Sequence, residues 1–270
     1  MKSIFTYLSI LFFGILTAQS SSPEIKKCLN EKDYHCAEKL TKEFIAKEKN
    51  PLKLAQHYSN LGMIVRRMNK YDEALIYLNK AIQYDNSYVF PYLNRGFLYF
   101  NMNKLDESLT DYNKALELEP NNDKALTNRA KVYDKQGKYD LAIKDVEKAI
   151  KINPKSIEAF VSLALIKKHQ GKIDEALNDF SNLINQYPND EILYNNRADI
   201  YNTQKKYTEA LNDIEKSISI DSKYTIAYVT KGEILQNQNK KKEACENFAK
   251  AIALGFDKNK IENSTKDCNK

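Results

Sequence analysis

Residues 89–122 read VFPYLNRGFLYFNMNKLDESLTDYNKALELEPNN, and their spacing decides the fold. Tyr92, Gly96 and Tyr99 recur at offsets of four and three, the spacing of one helix face. The pattern breaks at Asn103, a residue type that tolerates the left-handed conformation at a helix end. A second helical pattern follows, with the small Ser108, the large Tyr112 and the small Ala115. Pro120 then stops it. The stretch is one pair of antiparallel helices. Small residues let the two backbones approach, and large ones fill the space beside them.

The same pair recurs along the chain. A small residue returns every 34 positions at Gly62, Gly96, Ala130, Ala164, Ala198 and Gly232. Twelve residues after each stands another: Ala74, Ser108, Ala142, Ala176, Ala210 and Ala244. The repeats run 55–88, 89–122, 123–156, 157–190, 191–224 and 225–258. The fourth position is large (Tyr58, Tyr92, Leu126, Phe160, Tyr194, Tyr228). The turn is Asn69, Asn103, Gly137, Gly171, Lys205 or Asn239, each followed by Lys. Asp72, Asp106, Asp140 and Asp174, with Thr208 in the fifth repeat, are expected to cap the second helix. One pair cannot bury its apolar face alone, so stacking must supply the cover. The expectation is an all-α, right-handed superhelical solenoid of antiparallel helix pairs.

The quoted stretch and its companions, Leu126-Thr-Asn-Arg-Ala130, Tyr194-Asn-Asn-Arg-Ala198, Lys70-Tyr-Asp-Glu-Ala74 and Lys138-Tyr-Asp-Leu-Ala142, resemble the tetratricopeptide repeat. The resemblance covers about three quarters of the chain, in one register. The family's usual Trp at the fourth position is replaced throughout, since the chain has no Trp. The fourth repeat departs further, with Leu163 and Lys167 where Arg and Tyr are usual.

The resemblance implies a partner-binding groove lined by the first helices, at the second, fifth, ninth, twelfth and thirteenth positions. Those positions nominate Met63, Arg66, Arg67, Phe90, Leu93, Phe97, Phe100, Lys131 and Lys135. Four large apolar side chains in the second repeat, flanked by cations, read as an anchor for a peptide with apolar and acidic residues. The alternative is that Phe90 and Phe100 pack against neighbouring helices. The last two repeats offer a polar to acidic surface with Asn195, Asp199, Asn202, Glu233 and Gln236. The Lys-based clamp by which some family members hold a C-terminal carboxylate is absent, because its fifth positions are Ser59, Leu93, Thr127, Val161, Asn195 and Val229.

The ends differ from the repeats. Lys2, the uncharged run from Ile4 to Leu16 and the small residues from Thr17 to Ser20 form a signal-peptide pattern over 1–19, cut near Ala18 or Gln19. An uncleaved anchor is the alternative. Residues 20–54 read as a capping helical hairpin, with Pro51 ending its second helix, and 259–270 as a capping tail. Export gives meaning to the four cysteines. Position alone suggests Cys28–Cys36 and Cys245–Cys268, one disulfide at each end, each contributing about 3 kcal/mol by chain entropy. Free thiols in a cytosolic protein are the alternative.

A net charge of +6 over 270 residues is too small to imply nucleic acid. His35, His57 and His169 lie in different units with no shared carboxylate or nucleophile evident, and no glycine-rich phosphate loop exists. No enzyme activity, cofactor, metal or small-molecule substrate is therefore expected. The expected function is a noncovalent protein or peptide adapter in the cell envelope. It would be periplasmic, associated with an outer-membrane complex, or secreted, in a Gram-negative bacterium. The other reading is an accessory or regulatory subunit of an envelope enzyme or glycan-handling complex.

Overall fold

A computed structural model describes residues 22–266 and Cys268. The signal-peptide pattern over 1–19 lies outside the described residues. All described secondary structure is helical. An N-terminal hairpin of α1 (Pro23–Asn30) and α2 (Tyr34–Lys47) comes first. The first helices of the six repeats are α3 (Pro51–Arg67), α5 (Val89–Asn101), α7 (Asp123–Lys135), α9 (Ile157–His169), α11 (Glu191–Thr203) and α13 (Thr225–Asn237). Their second helices are α4 (Tyr71–Tyr84), α6 (Leu105–Leu118), α8 (Tyr139–Ile152), α10 (Ile173–Gln186), α12 (Tyr207–Ile220) and α14 (Lys241–Ala253). A 3-10 turn (Lys258–Ile261) and α15 (Glu262–Thr265) follow.

The chain forms two compact units, and the division falls between Ala159 and Phe160. In the N-terminal unit, α2 packs on α3, and the helices of each repeat pack on one another. Its hairpin core joins Ile25, Cys28 and Ala37 to Ile64 of α3. In the C-terminal unit, Ile261 and Phe256 close over Phe248, Ala244 and Ala251, so the tail covers the apolar end of the last repeat.

The turn inside each repeat has one geometry. Asn69, Asn103, Gly137, Gly171, Lys205 and Asn239 all have positive φ, as their residue types foretell, with Lys205 the exception by type. Lys32 adopts the same conformation in the N-terminal hairpin, which is built like a repeat turn offset by three residues.

The expected Asp caps differ. The N-cap positions are Lys70, Lys104, Lys138, Lys172 and Lys206, without a side-chain cap hydrogen bond. Asp72, Asp106, Asp140 and Asp174 stand in the first turn instead. There they favour the helix through its dipole. The left-handed residue swings the chain so that the next carbonyl, not a side chain, begins the helix; Lys70 O accepts from Ala74 N at 3.0 Å. Pro51 also differs. It does not end α2 but opens α3, capped by Asn50 Oδ1, which accepts from Leu52 N at 2.9 Å. Proline suits a first helical turn because its missing N–H has no partner there anyway. The cap-to-repeat boundary at 54/55 thus falls inside α3.

Close approach defines each helix pair. A Cβ added at Gly62 would lie 2.8 Å from Leu78 Cγ, and one at Gly232 would lie 2.5 Å from the Phe248 ring. Arginine then ties the layers together. Arg95 Nε donates to Asp111 at 2.8 Å, Arg129 Nε to Asp145 at 2.7 Å and Arg197 Nε to Asp213 at 2.7 Å, each pair bidentate. The remaining nitrogen reaches back to the preceding repeat, at Asn113 Oδ1 from Arg129 (2.7 Å) and Ser181 Oγ from Arg197 (3.0 Å). Acceptance by Asp145 and Asp213 holds the Arg129 and Arg197 charges firmly, against the opposing effect of burial. Where Leu163 replaces this arginine, Lys167 one turn later donates to Asp179 at 2.6 Å. The tyrosines standing in for Trp pin the turns between repeats: the Tyr92, Tyr194 and Tyr228 hydroxyls donate to carbonyls six residues upstream.

Two stability outcomes follow from this packing. Gly232→Ala forces a methyl into the buried Phe248 ring and is expected to cost about 1–3 kcal/mol in chemical denaturation. Arg129→Leu leaves Asp145 buried and uncompensated, an expected loss of about 3 kcal/mol. Adding Asp145→Leu to that variant is expected to recover most of the loss; equal stability of single and double variants would show that the pair is not what holds the layers.

Candidate functional site

The first helices of the N-terminal unit, α3, α5 and α7, place the nominated residues unequally. Met63, Leu93 and Phe100 are 4%, 6% and 7% exposed, so they belong largely to the packing between helices. Phe90 and Phe97 are half-buried and keep accessible surface. Phe90 rests beside Tyr88 with ring centroids 5.3 Å apart. The nine-residue groove drawn from spacing therefore narrows to an aromatic floor with two partly accessible rings.

Cations from neighbouring first helices cover that floor. The Arg66 guanidinium lies 4.9 Å from the Phe97 ring centroid. The Lys135 ammonium lies 5.0 Å from that of Phe100. Cation and ring face attract electrostatically, and the attraction strengthens as water is excluded. Burial, then the neighbouring Arg67, pushes Arg66 below the usual arginine range. Lys135 retains exposed surface, yet lost hydration around it pulls it below the ordinary lysine value. Arg67 turns elsewhere, to within 5.8 Å of the Tyr34 ring. Lys131 is buried and spoken for: its Nζ donates to Glu158 Oε1 at 2.5 Å. Spacing alone did not separate Lys131 from Lys135, because its partner enters from the following repeat.

The first helices of the C-terminal unit carry a different surface. Lys168 on α9 is buried and donates to Asp199 on α11. Asn237 Nδ2 on α13 donates to Asn202 Oδ1 on α11 at 3.0 Å. Gln236 Nε2 reaches the Ser264 carbonyl of the tail at 3.5 Å. Glu233 on α13 is half-buried, and burial, with Asp199 nearby, pushes its carboxyl up to about 8. Lys168 stands at the twelfth position of its repeat, a groove position by spacing. Its pairing with a carboxylate 31 residues away is invisible without the tertiary arrangement.

The remaining candidates sit at the ends and on single helices. The sulfurs of Cys28 and Cys36, and those of Cys245 and Cys268, each lie at bonding distance, 1.99 Å. His57 is buried against Phe44, ring centroids 6.0 Å apart, and burial lowers its pKa. Among the described residues no group of three His, Cys, Asp or Glu side chains is placed to hold a metal ion. No helix among them is long and apolar enough to cross a membrane. What these faces offer chemically is recognition: half-buried rings under cations in one unit, amides and carboxylates in the other.

Comparison with known proteins bears on the whole array. Tetratricopeptide repeat models match residues 55–88, 123–156, 158–190, 192–224 and 226–254, and a TPR repeat model matches 98–137. A tetratricopeptide repeat protein from Parabacteroides merdae is 33% identical, with a TM-score of 0.77, over 90% of this chain and 94% of that one. Yeast Tom70 is 24% identical, with a TM-score of 0.66, over 87% of this chain and 48% of that one. The pilF protein of Pseudomonas aeruginosa is 16% identical, with a TM-score of 0.57, over 80% of this chain and 98% of that one. The last two likenesses concern the fold alone. A search of curated proteins found no match. With its helix pairs, left-handed turns and small-residue register, this all-α repeat solenoid belongs to the tetratricopeptide repeat family.

Proposed function

We propose that the chain is an exported adapter that holds a protein partner noncovalently against the first-helix faces of its repeats. The repeats and their structural relatives support a protein–protein interaction scaffold. The observation that carries the reading further is the pair Phe90 and Phe97, half-buried on one first helix, with Arg66 over Phe97 and Lys135 over the neighbouring Phe100 of the same helix. Apolar rings kept partly accessible among cations suit a segment that brings apolar side chains to the rings and carboxylates to the rim. The partner's binding would replace water on the rings and take up the cation already aligned above Phe97.

A location in the envelope is part of the same proposal. It rests on the signal-peptide pattern over 1–19 and on the four cysteines, placed in two pairs at the two ends. Tying an end helix or tail where no further repeat covers it is a use of disulfides that an oxidising compartment permits.

Cross-linking capture from intact cells, read by mass spectrometry, tests the binding face. Phe97→Glu is expected to lose the partner while keeping native helicity; unchanged capture would move the search to another face. Charge at Leu93 is avoided because that side chain is buried. Peptide mapping under non-reducing conditions tests export, with Cys28 linked to Cys36 and Cys245 to Cys268 as the expected result. Free thiols on protein taken from cells would remove the export reading and leave the binding reading standing.

A further inference from the structure

The first-helix face of the C-terminal unit leaves hydrogen-bonding capacity unfilled. Asp199 is neutralised by Lys168. Glu233 stands at the equivalent position one repeat later. Among the described residues it accepts no hydrogen bond and forms no ion pair. Asn195 lies one turn before Asp199 on α11, so Asn195, Asp199 and Asn202 share one face of that helix. Asp199 and Asn202 use that face to reach α9 and α13. Asn195 is 4% exposed, and its Oδ1 has no hydrogen-bond partner among the described residues. Buried acceptors without donors are rare in folded proteins, and such a group calls for an explanation.

An enclosed amide oxygen, an unpaired carboxylate and a second carboxylate held by one lysine are all acceptors. The group that satisfies several acceptors at once is a cation rich in donors: three on a lysine ammonium, five on an arginine guanidinium. We propose that the face formed by Asn195, Asp199 and Glu233 receives a basic side chain of the partner polypeptide. This rests on the adapter reading and adds the chemistry of one contact. It also gives the two units opposite preferences, with acidic groups drawn to Arg66 and Lys135 and a basic one to Glu233.

Burial first, and then the charges around Glu233, set how binding depends on pH. Asp199 raises its proton affinity and Lys168 lowers it. His169 adjoins Lys168 on α9. Lys231 of α13 is drawn to Glu215 of α12 at 3.8 Å. The charged groups of α14 (Lys241, Lys242, Glu243, Glu246, Lys250) and of the described terminal segment (Asp257, Lys258, Lys260, Glu262, Lys266) are exposed. In the free protein Glu233 keeps its proton up to about pH 8. A bound cation favours the carboxylate, so binding releases a proton and weakens as pH falls below that value.

Selection from a displayed library of random 12-residue peptides, at pH 8 on the intact protein and on Glu233→Gln, tests the proposal. The native protein is expected to enrich peptides containing Arg or Lys. A selected basic peptide is expected to bind Glu233→Gln about tenfold more weakly. Its affinity for the native protein is expected to fall below pH 8 and to level off about tenfold lower, near that of the variant, whose affinity stays level with pH. Circular dichroism checks that the variant is folded. Enriched peptides without basic residues would overturn the proposal and leave the adapter reading intact. Basic peptides indifferent to Glu233→Gln would overturn it too, placing their contact elsewhere. No enrichment at all would count against both readings.

Discussion

The rest of the structure depends on how closely the two helices of a repeat approach. At Gly62, Gly96 and Gly232 the first helix offers no side chain, and Leu78, Tyr112 and Phe248 of the second helix occupy that space. Alanine serves at Ala130, Ala164 and Ala198, which are fully buried. The approach sets where every other residue of the pair can point. It buries the large residue of α4, α6 and α14, and it brings the arginine of a first helix to the aspartate of its partner sixteen residues on. Dense packing of this kind tolerates little change in volume, which is why the small positions recur without a slip.

Buried charge is the second constraint, and it explains the departures from the repeat pattern. An aspartate at the inner position needs a cation, since an unpaired buried carboxylate is costly. Arg95, Arg129 and Arg197 supply it directly. In the fourth repeat the apolar Leu163 would strand Asp179, and Lys167 reaches it from one turn further on. In the first repeat, Leu61 coincides with Tyr77 in place of the aspartate, so no buried charge has to be met. Two substitutions that look separate along the chain are therefore one exchange in space.

The two first-helix faces differ because their unmatched groups differ. In the N-terminal unit the surplus is cationic: Arg66 and Lys135 lie over aromatic rings rather than against carboxylates. In the C-terminal unit the surplus is an acceptor surface, where Lys168 is consumed by Asp199 and Glu233 forms no ion pair among the described residues. Spacing placed these residues on the first helices, because a helix repeats its positions at known intervals. It could not rank the residues within them. Phe90 and Phe100 look alike in sequence, but one keeps accessible surface and the other is sealed between helices. Lys131 and Lys135 stand one turn apart, and only the first meets Glu158.

What the sequence determined by itself was everything that depends on local period and backbone conformation. The 34-residue register, the helix pairs, the left-handed turns at Asn69, Asn103, Gly137 and Gly171, and the small-to-large match across each pair were legible because each lies within one repeat. Tertiary structure decided what depends on a neighbour in space. The lysine carbonyl, not the aspartate side chain, opens each second helix, because the preceding left-handed residue turns the chain before the aspartate is reached. Lys168 spends its charge on Asp199, Lys131 spends its own on Glu158, and Glu233 forms no ion pair among the described residues. Charge pairing acts over a few ångströms between residues about thirty apart in the chain, and only the stacking of repeats brings them within reach.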